Sequence, residues 1–254
     1  MNEVYDLNTH PADARRFYLN QINTSDDAWL SESEWTAVAD LLHEIHAEDA
    51  IVMGFDGSKR RNKGVADATA LIGCRVSDGH LFPIHVWEQP EGPSQDAWEV
   101  PKAEVDATVA DAFKTYNVIG FYADPAKWES YIAKWEALYG AKLKVKASAA
   151  HPIEWWMTGG RSGLIVRALN VFYTAVMEKT LSHNGSAVLM RHALNARRRA
   201  TRSGIQIAKD NPDSPRKIDA VVASVLAYQC RLDALSSGAY ATQTQKRSKK
   251  IRGR

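Results

Sequence analysis

Ala-Ile-Val-Met-Gly-Phe-Asp-Gly-Ser, residues 50–58, decides the fold: an unbroken apolar run of strand length stops at an acid, a glycine and a serine. A run without polar alternation reads as a strand in the middle of a sheet. It leaves Asp56 at the strand's end. Two more strand-like runs follow, Ala68 to Arg75 and Leu81 to Trp87, and Ser77-Asp78-Gly79-His80 between them carries the Asp-Gly pair of a tight hairpin. The core therefore opens as a three-stranded antiparallel meander.

Further along, Pro101 to Tyr116 repeats apolar residues at helical spacing (Val105, Val109, Ala112, Phe113), Val118 to Ala123 is a second buried strand, and Pro125 to Tyr139 is another helix. Leu143 to Ala147 reads as a short fifth strand and Ser162 to Thr180 as a long helix. Residues 195–209 form a basic hairpin turning at Ser203-Gly204, and Ser214-Pro215 supplies the serine cap and first-turn proline of a last helix. Upstream, a polar, aperiodic start gives way to the capping box Ser31-x-x-Glu34 and the stripe Trp35, Val38, Leu41, Leu42, Ile45, which predicts one helix. The fold class is α/β, a mixed sheet with its first three strands antiparallel, flanked by helices and ending in a hairpin and helix; repeated βαβ units of the Rossmann kind are absent. The expected division is a lead-in segment (1–48), one main domain (49–240) and a basic tail (241–254) expected to be disordered.

A chain of 254 residues, 45% hydrophobic, is long enough for one sizeable core. The formal charge of +2 conceals an uneven distribution: Lys246, Arg247, Lys249, Lys250, Arg252 and Arg254 put six cations in the last nine residues and leave the rest at minus four. A case for nucleic acid must therefore rest on local patches and chemistry. Cys74 and Cys230 lie in apolar stretches without C-x-x-C spacing, as reduced core thiols do, and the histidines show no zinc-site pattern. The N-terminus has no basic-then-apolar leader, and no stretch approaches the roughly 20 apolar residues of a membrane span; a cytoplasmic protein is expected. No serine elbow or Cys/His pair offers a covalent nucleophile.

Three acids occupy positions that a core would present. Asp56 closes the first strand, Asp124 closes the fourth, and Asp219 precedes Val222, Ala223 and Leu226 on the apolar face of the last helix. Each has a plain alternative: Asp56-Gly57 a turn, Asp124-Pro125 a helix cap, Asp219 an acid paired with Arg216 or Lys217. Together they make an all-oxygen ligand set suited to Mg²⁺ or Mn²⁺, because carboxylates facing a core require compensation that a cation supplies. Asp67, just before the second strand, is a further candidate ligand or water-positioning group, the alternative being a solvated loop-end acid. Two ions about 4 Å apart would support hydrolysis of a phosphodiester.

Gly-Phe-Asp-Gly-Ser (54–58), Asp-Ala-Thr-Ala-Leu (67–71), Phe-Tyr-Ala-Asp-Pro (121–125) and Pro-Arg-Lys-Ile-Asp-Ala-Val-Val-Ala (215–223) resemble, in order and spacing, the nuclease domain of the large terminase subunit of tailed bacteriophages. Arg-Arg-Phe-Tyr-Leu-Asn-Gln (15–21) with Asp-Ala-Trp-Leu (27–30) resembles the segment joining ATPase to nuclease in that family, and Leu181-Ser-His-Asn-Gly its C-terminal stretch. The resemblance implies an RNase H-like core, cleavage of double-stranded DNA during genome packaging, two Mg²⁺ or Mn²⁺ ions on Asp56, Asp124 and Asp219, and, as partners, an ATPase module, small terminase subunit and portal in the host cytoplasm. One departure is plain: no G-x-x-x-x-G-K-[ST] occurs, and Gly159-Gly-Arg-Ser-Gly is no substitute, so ATP hydrolysis is not expected and the chain reads as an excised fragment or a separate nuclease half.

Lys59, Arg60, Arg61 and Lys63, with Arg197, Arg198, Arg199 and Arg202, are the candidate DNA contacts; Arg191 and Lys209 stand nearby. Such cations suit phosphate contact without sequence readout. Adjacent arginines in a strand point to opposite faces, so only some of Arg197–Arg199 reach one duplex. Two other readings remain open: a resolvase or transposase core of the same fold, and a non-catalytic module that docks on DNA or the portal. Trp155-Trp156 reads as a docking patch or as core packing.

Overall fold

The computed structural model describes residues 27–58, 66–90, 98–211 and 214–240. Strand β1 (Ala50–Asp56) is an interior strand of the sheet, paired on both sides, as its unbroken apolar run leads one to expect. It pairs antiparallel with β2 (Thr69–Arg75), which pairs antiparallel with β3 (His80–Trp87). The turn between β2 and β3 uses Gly79 at φ 80°, and Arg75 Nε donates to Asp78 Oδ1 at 3.0 Å across it. After helix α1 (Lys102–Thr115), β4 (Asn117–Ala123) returns parallel to β1. A two-residue β5 (Ser182–His183) adds to the far edge, giving the order β4-β1-β2-β3-β5. This is the RNase H-like arrangement expected from the sequence.

The period of two along β1 divides the core. Ile51, Met53 and Phe55 face α1 and α2 (Glu129–Tyr139), where Val105, Val109, Phe121, Trp128 and Trp135 are buried. Val52 faces the other way, into a second cluster with α3 (Ser162–Met177), α4 (Ala187–Asn195) and the last helix, α5 (Asp219–Ser236). Gly54 shares that face and lets α5 lie directly on the sheet: a Cβ there would stand 1.9 Å from the Ala223 carbonyl oxygen. The hairpin β6 (Arg197–Thr201) and β7 (Gly204–Ala208) forms a separate two-stranded sheet. On β6's free side Trp29 N donates to Ala196 O (2.9 Å) and Arg198 N to Asp27 O (2.8 Å).

Several local expectations change. The capping box at Ser31 forms, but its helix covers only Glu32–Thr36, and Leu41 and Leu42 are 73% and 93% exposed. The reason is a long-range pairing: Val38 O accepts from His183 N and Asp40 N donates to His183 O, which takes the backbone that a longer helix would use. The fifth strand expected at 143–147 lies beside β4 but shrinks to one bridge, Gly120 with Val145. Helix α2 begins at Glu129, not Pro125, because Asp124 and Pro125 make a turn, with Lys127 at φ 73°. Helix α4 was not expected. Helix α5 begins at Asp219 rather than at Ser214-Pro215, whose serine turns the chain locally by accepting from Arg216 N at 3.1 Å. Among the described residues no helix is long and apolar enough to cross a membrane.

Candidate active site

Parallel pairing of β1 and β4 sets their C-terminal ends side by side, and Asp124 N donates to Phe55 O at 3.0 Å. The sheet thereby brings Asp56 and Asp124 together. Directly after Asp56 the chain is held at two residues: Ser58 N donates to Thr69 Oγ1 (2.9 Å), Trp128 Nε1 donates to Ser58 O (3.1 Å), and Gly57 leaves no room for a Cβ against the Trp128 ring. Asp219 is the first residue of α5, where the helix dipole favours a carboxylate, and its Oδ2 accepts from Ala68 N at 3.3 Å. Asp67, next to Ala68, accepts a hydrogen bond from Lys209 Nζ at the end of the hairpin.

The electrostatics identify these groups as one cluster. Burial, then the charges of Asp219, Asp124 and Asp67, push the Asp56 carboxyl well above the usual carboxylate range, with Lys209 opposing. Burial and Asp67 raise Asp219, with its own backbone amide and Lys209 opposing. Burial raises Asp124 too, although the amides of Ala126 and Met157 hold its charged form. The partners suggested for Asp219 go elsewhere: Arg216 reaches Asp210 (3.4 Å) and Lys217 Nζ donates to Ala66 O.

Among the described residues, four mutually repelling acids share one lysine, Lys209, and their oxygens are the donors that Mg²⁺ and Mn²⁺ prefer. As placed, no three His, Cys, Asp or Glu side chains among the described residues are arranged to hold one ion in common. The donor chemistry fits a hard divalent cation.

A pH dependence follows. Each raised carboxyl costs the fold stability when ionised; the cost is absent below the usual carboxylate pKa of 3.8 and full above the raised values. In EDTA, Asp56→Asn is expected to be more stable than the native chain at about pH 7.5, by roughly 1 kcal/mol or a few degrees in Tm. The gap should narrow toward about pH 5, because the cost of a raised carboxyl shrinks as pH falls toward the ordinary carboxylate value. Thermal melts at both pH values check it; a variant less stable than native at the higher pH contradicts the assignment of uncompensated charge.

Of the candidate DNA contacts, Arg199 and Arg202 are exposed and Arg197 and Arg198 half-buried, in a hairpin whose end carries Lys209 to the acidic cluster. Lys59, Arg60, Arg61 and Lys63, the segment 15–21 and the basic tail lie outside the described residues. Trp155 is buried, with the Arg161 guanidinium 4.7 Å over its ring, so at least this tryptophan belongs to packing. Sequence reasoning overlooked His192, which meets the start of α5 from α4, and Glu88, just past β3, which binds the His192 ring. Their signal was faint: Ser186 ahead of Leu189, His192 and Ala193 is a capped amphipathic turn.

No protein-family model matches the chain. It is 40% identical over 237 residues to the Gene 13 proteins of Mycobacterium phages L5 and D29, a match covering 89% of this chain and 38% of each relative. The chain thus spans well under half the length of the curated relatives it matches. Among solved structures, the HK97 bacteriophage large terminase superposes with a TM-score of 0.57 at 18% identity, covering 79% of this chain and 43% of that one. The resemblance read from the sequence holds at the level of the fold.

Proposed function

We propose that this chain is a divalent-metal-dependent endodeoxyribonuclease that cuts double-stranded DNA during phage genome packaging. The observation that carries the reading is the gathering of Asp56, Asp124 and Asp219 from two parallel strand ends and a helix start into one mutually repelling acidic cluster. Asp56, Asp124 and Asp219 would together hold two Mg²⁺ or Mn²⁺ ions. When bound, the ions supply an activated water and neutralise the leaving 3′ oxygen. Asp67 holds Lys209 and is the outer member of the set. Arg199 and Arg202, with the cations of 59–63, would hold the duplex by its phosphates, which favours cleavage without strict sequence preference. The L5 and D29 relatives are phage proteins and the HK97 protein is a large terminase. As the sequence resemblance implies, an ATPase module, small terminase subunit and portal would be its partners, in the host cytoplasm.

The test is incubation of the purified protein with supercoiled plasmid in Mg²⁺, Mn²⁺ or EDTA, beside Asp219→Asn. Nicking or linearisation that requires the ion and vanishes in the variant is the expected result. A folded protein that binds DNA but cuts under no ion would transfer the reading to a docking module.

A further inference from the structure

We infer that His192, oriented by Glu88, is a positioning residue that fixes the first turn of α5 and with it Asp219. The inference rests on the nuclease reading above only for the purpose of the placement, not for the placement itself. A helix leaves its first N–H groups without partners inside the helix, and they are ordinarily met by a side chain at the N-cap. Here the N-cap is Ile218, which has no such side chain. The partner comes from another helix: Ala220 N, next to Asp219, donates to His192 Nδ1 at 2.9 Å, and the His192 ring is wholly buried.

Because an N–H can only donate, Nδ1 must accept, and the ring proton sits on Nε2. Nε2 stands 2.9 Å from Glu88 Oε1, one residue past β3, and the other oxygen of Glu88 accepts from Arg191. One turn along α4, Asn195 Nδ2 donates to Lys217 O at 3.0 Å. Helix α4 therefore grips the chain on both sides of Ile218, and the acid at the start of α5 has its backbone set from outside its own helix. Outer partners of this kind hold inner ligands to the tolerance that ion binding needs.

The test separates the two ring nitrogens. The amide of His192→Asn lies near the Nδ1 position and can still accept from Ala220, whereas that of His192→Gln lies near Nε2 and meets Glu88 instead. Mn²⁺ binding to the DNA-free protein, followed by calorimetry, is expected to weaken about tenfold or more in His192→Gln and to stay within about threefold of native in His192→Asn. Nitrogen NMR of the native protein should find the His192 proton on Nε2. Equal Mn²⁺ affinity in a folded Gln variant, a marked loss in the Asn variant, or a proton on Nδ1 would each overturn the inference. If the native chain binds no Mn²⁺, the nuclease reading fails separately, and amide exchange at Ala220 decides the positioning claim. Faster exchange in Gln than in Asn supports it; equal exchange overturns it.

Discussion

Asp56→Asn is expected to leave less than about one thousandth of the native rate of plasmid cleavage, whereas Asp67→Asn should keep a rate within about tenfold. The ranking comes from position. Asp56 ends an interior strand and feels Asp219, Asp124 and Asp67 at once, so under the proposed reading its loss removes the group that a shared ion would contact. Asp67 sits at the rim with its carboxylate already engaged by Lys209. Asn preserves the size of Asp and removes only the charge, so a fall in rate cannot be ascribed to packing. Single-turnover nicking at saturating Mn²⁺ gives the comparison, with Tm confirming that each variant is folded. Near-native cleavage by Asp56→Asn would dismiss the acidic cluster as the seat of chemistry.

Gly54→Ala is expected to destabilise the fold by about 3 kcal/mol or more, lowering Tm by roughly 10 °C. The added Cβ would meet the Ala223 carbonyl oxygen at 1.9 Å and the Ala227 nitrogen at 2.5 Å. Both are backbone atoms of α5, so no side-chain rotation relieves the clash and the helix itself must move off the sheet. Since Asp219 begins that helix, cleavage should fall further than the loss of stability alone explains. Gly160→Ala is the control: nothing lies within 4 Å of a Cβ there, and its melting should be native. A Gly54→Ala protein that melts with the native chain would mean that α5 does not lie on β1 as described.

Much of the fold was legible because buried strands announce themselves locally. Residues 50–56, 69–75 and 117–123 are short apolar runs bounded by turn residues, and each became a strand within one or two residues of the expected limits. What failed locally was decided by distant partners. The helix expected through Ile45 ends early because His183, far along the chain, binds the backbone of Val38 and Asp40. Ser214-Pro215 carries every mark of a helix start, yet buried Lys217 donates to Ala66 O and Asn195 binds Lys217 O, which keeps the chain irregular until Asp219. The three acids were singled out from strand ends and an apolar helix face; their nearness to Asp67 and Lys209 required the tertiary structure. His192 was invisible as a helix cap, since nothing in a sequence links a histidine to an amide twenty-eight residues on.

The pairing of residues 27–29 with the outer side of β6 also bears on how copies of this chain coexist. A two-stranded ribbon beside a larger sheet ordinarily presents bare peptide groups that invite another molecule to extend it. Here Asp27 and Trp29 occupy those groups, and the Trp29 ring stacks on Phe172 with centroids 5.7 Å apart, anchoring the cover in place. The start of β6's outer edge is thus closed to strand addition from within the chain itself.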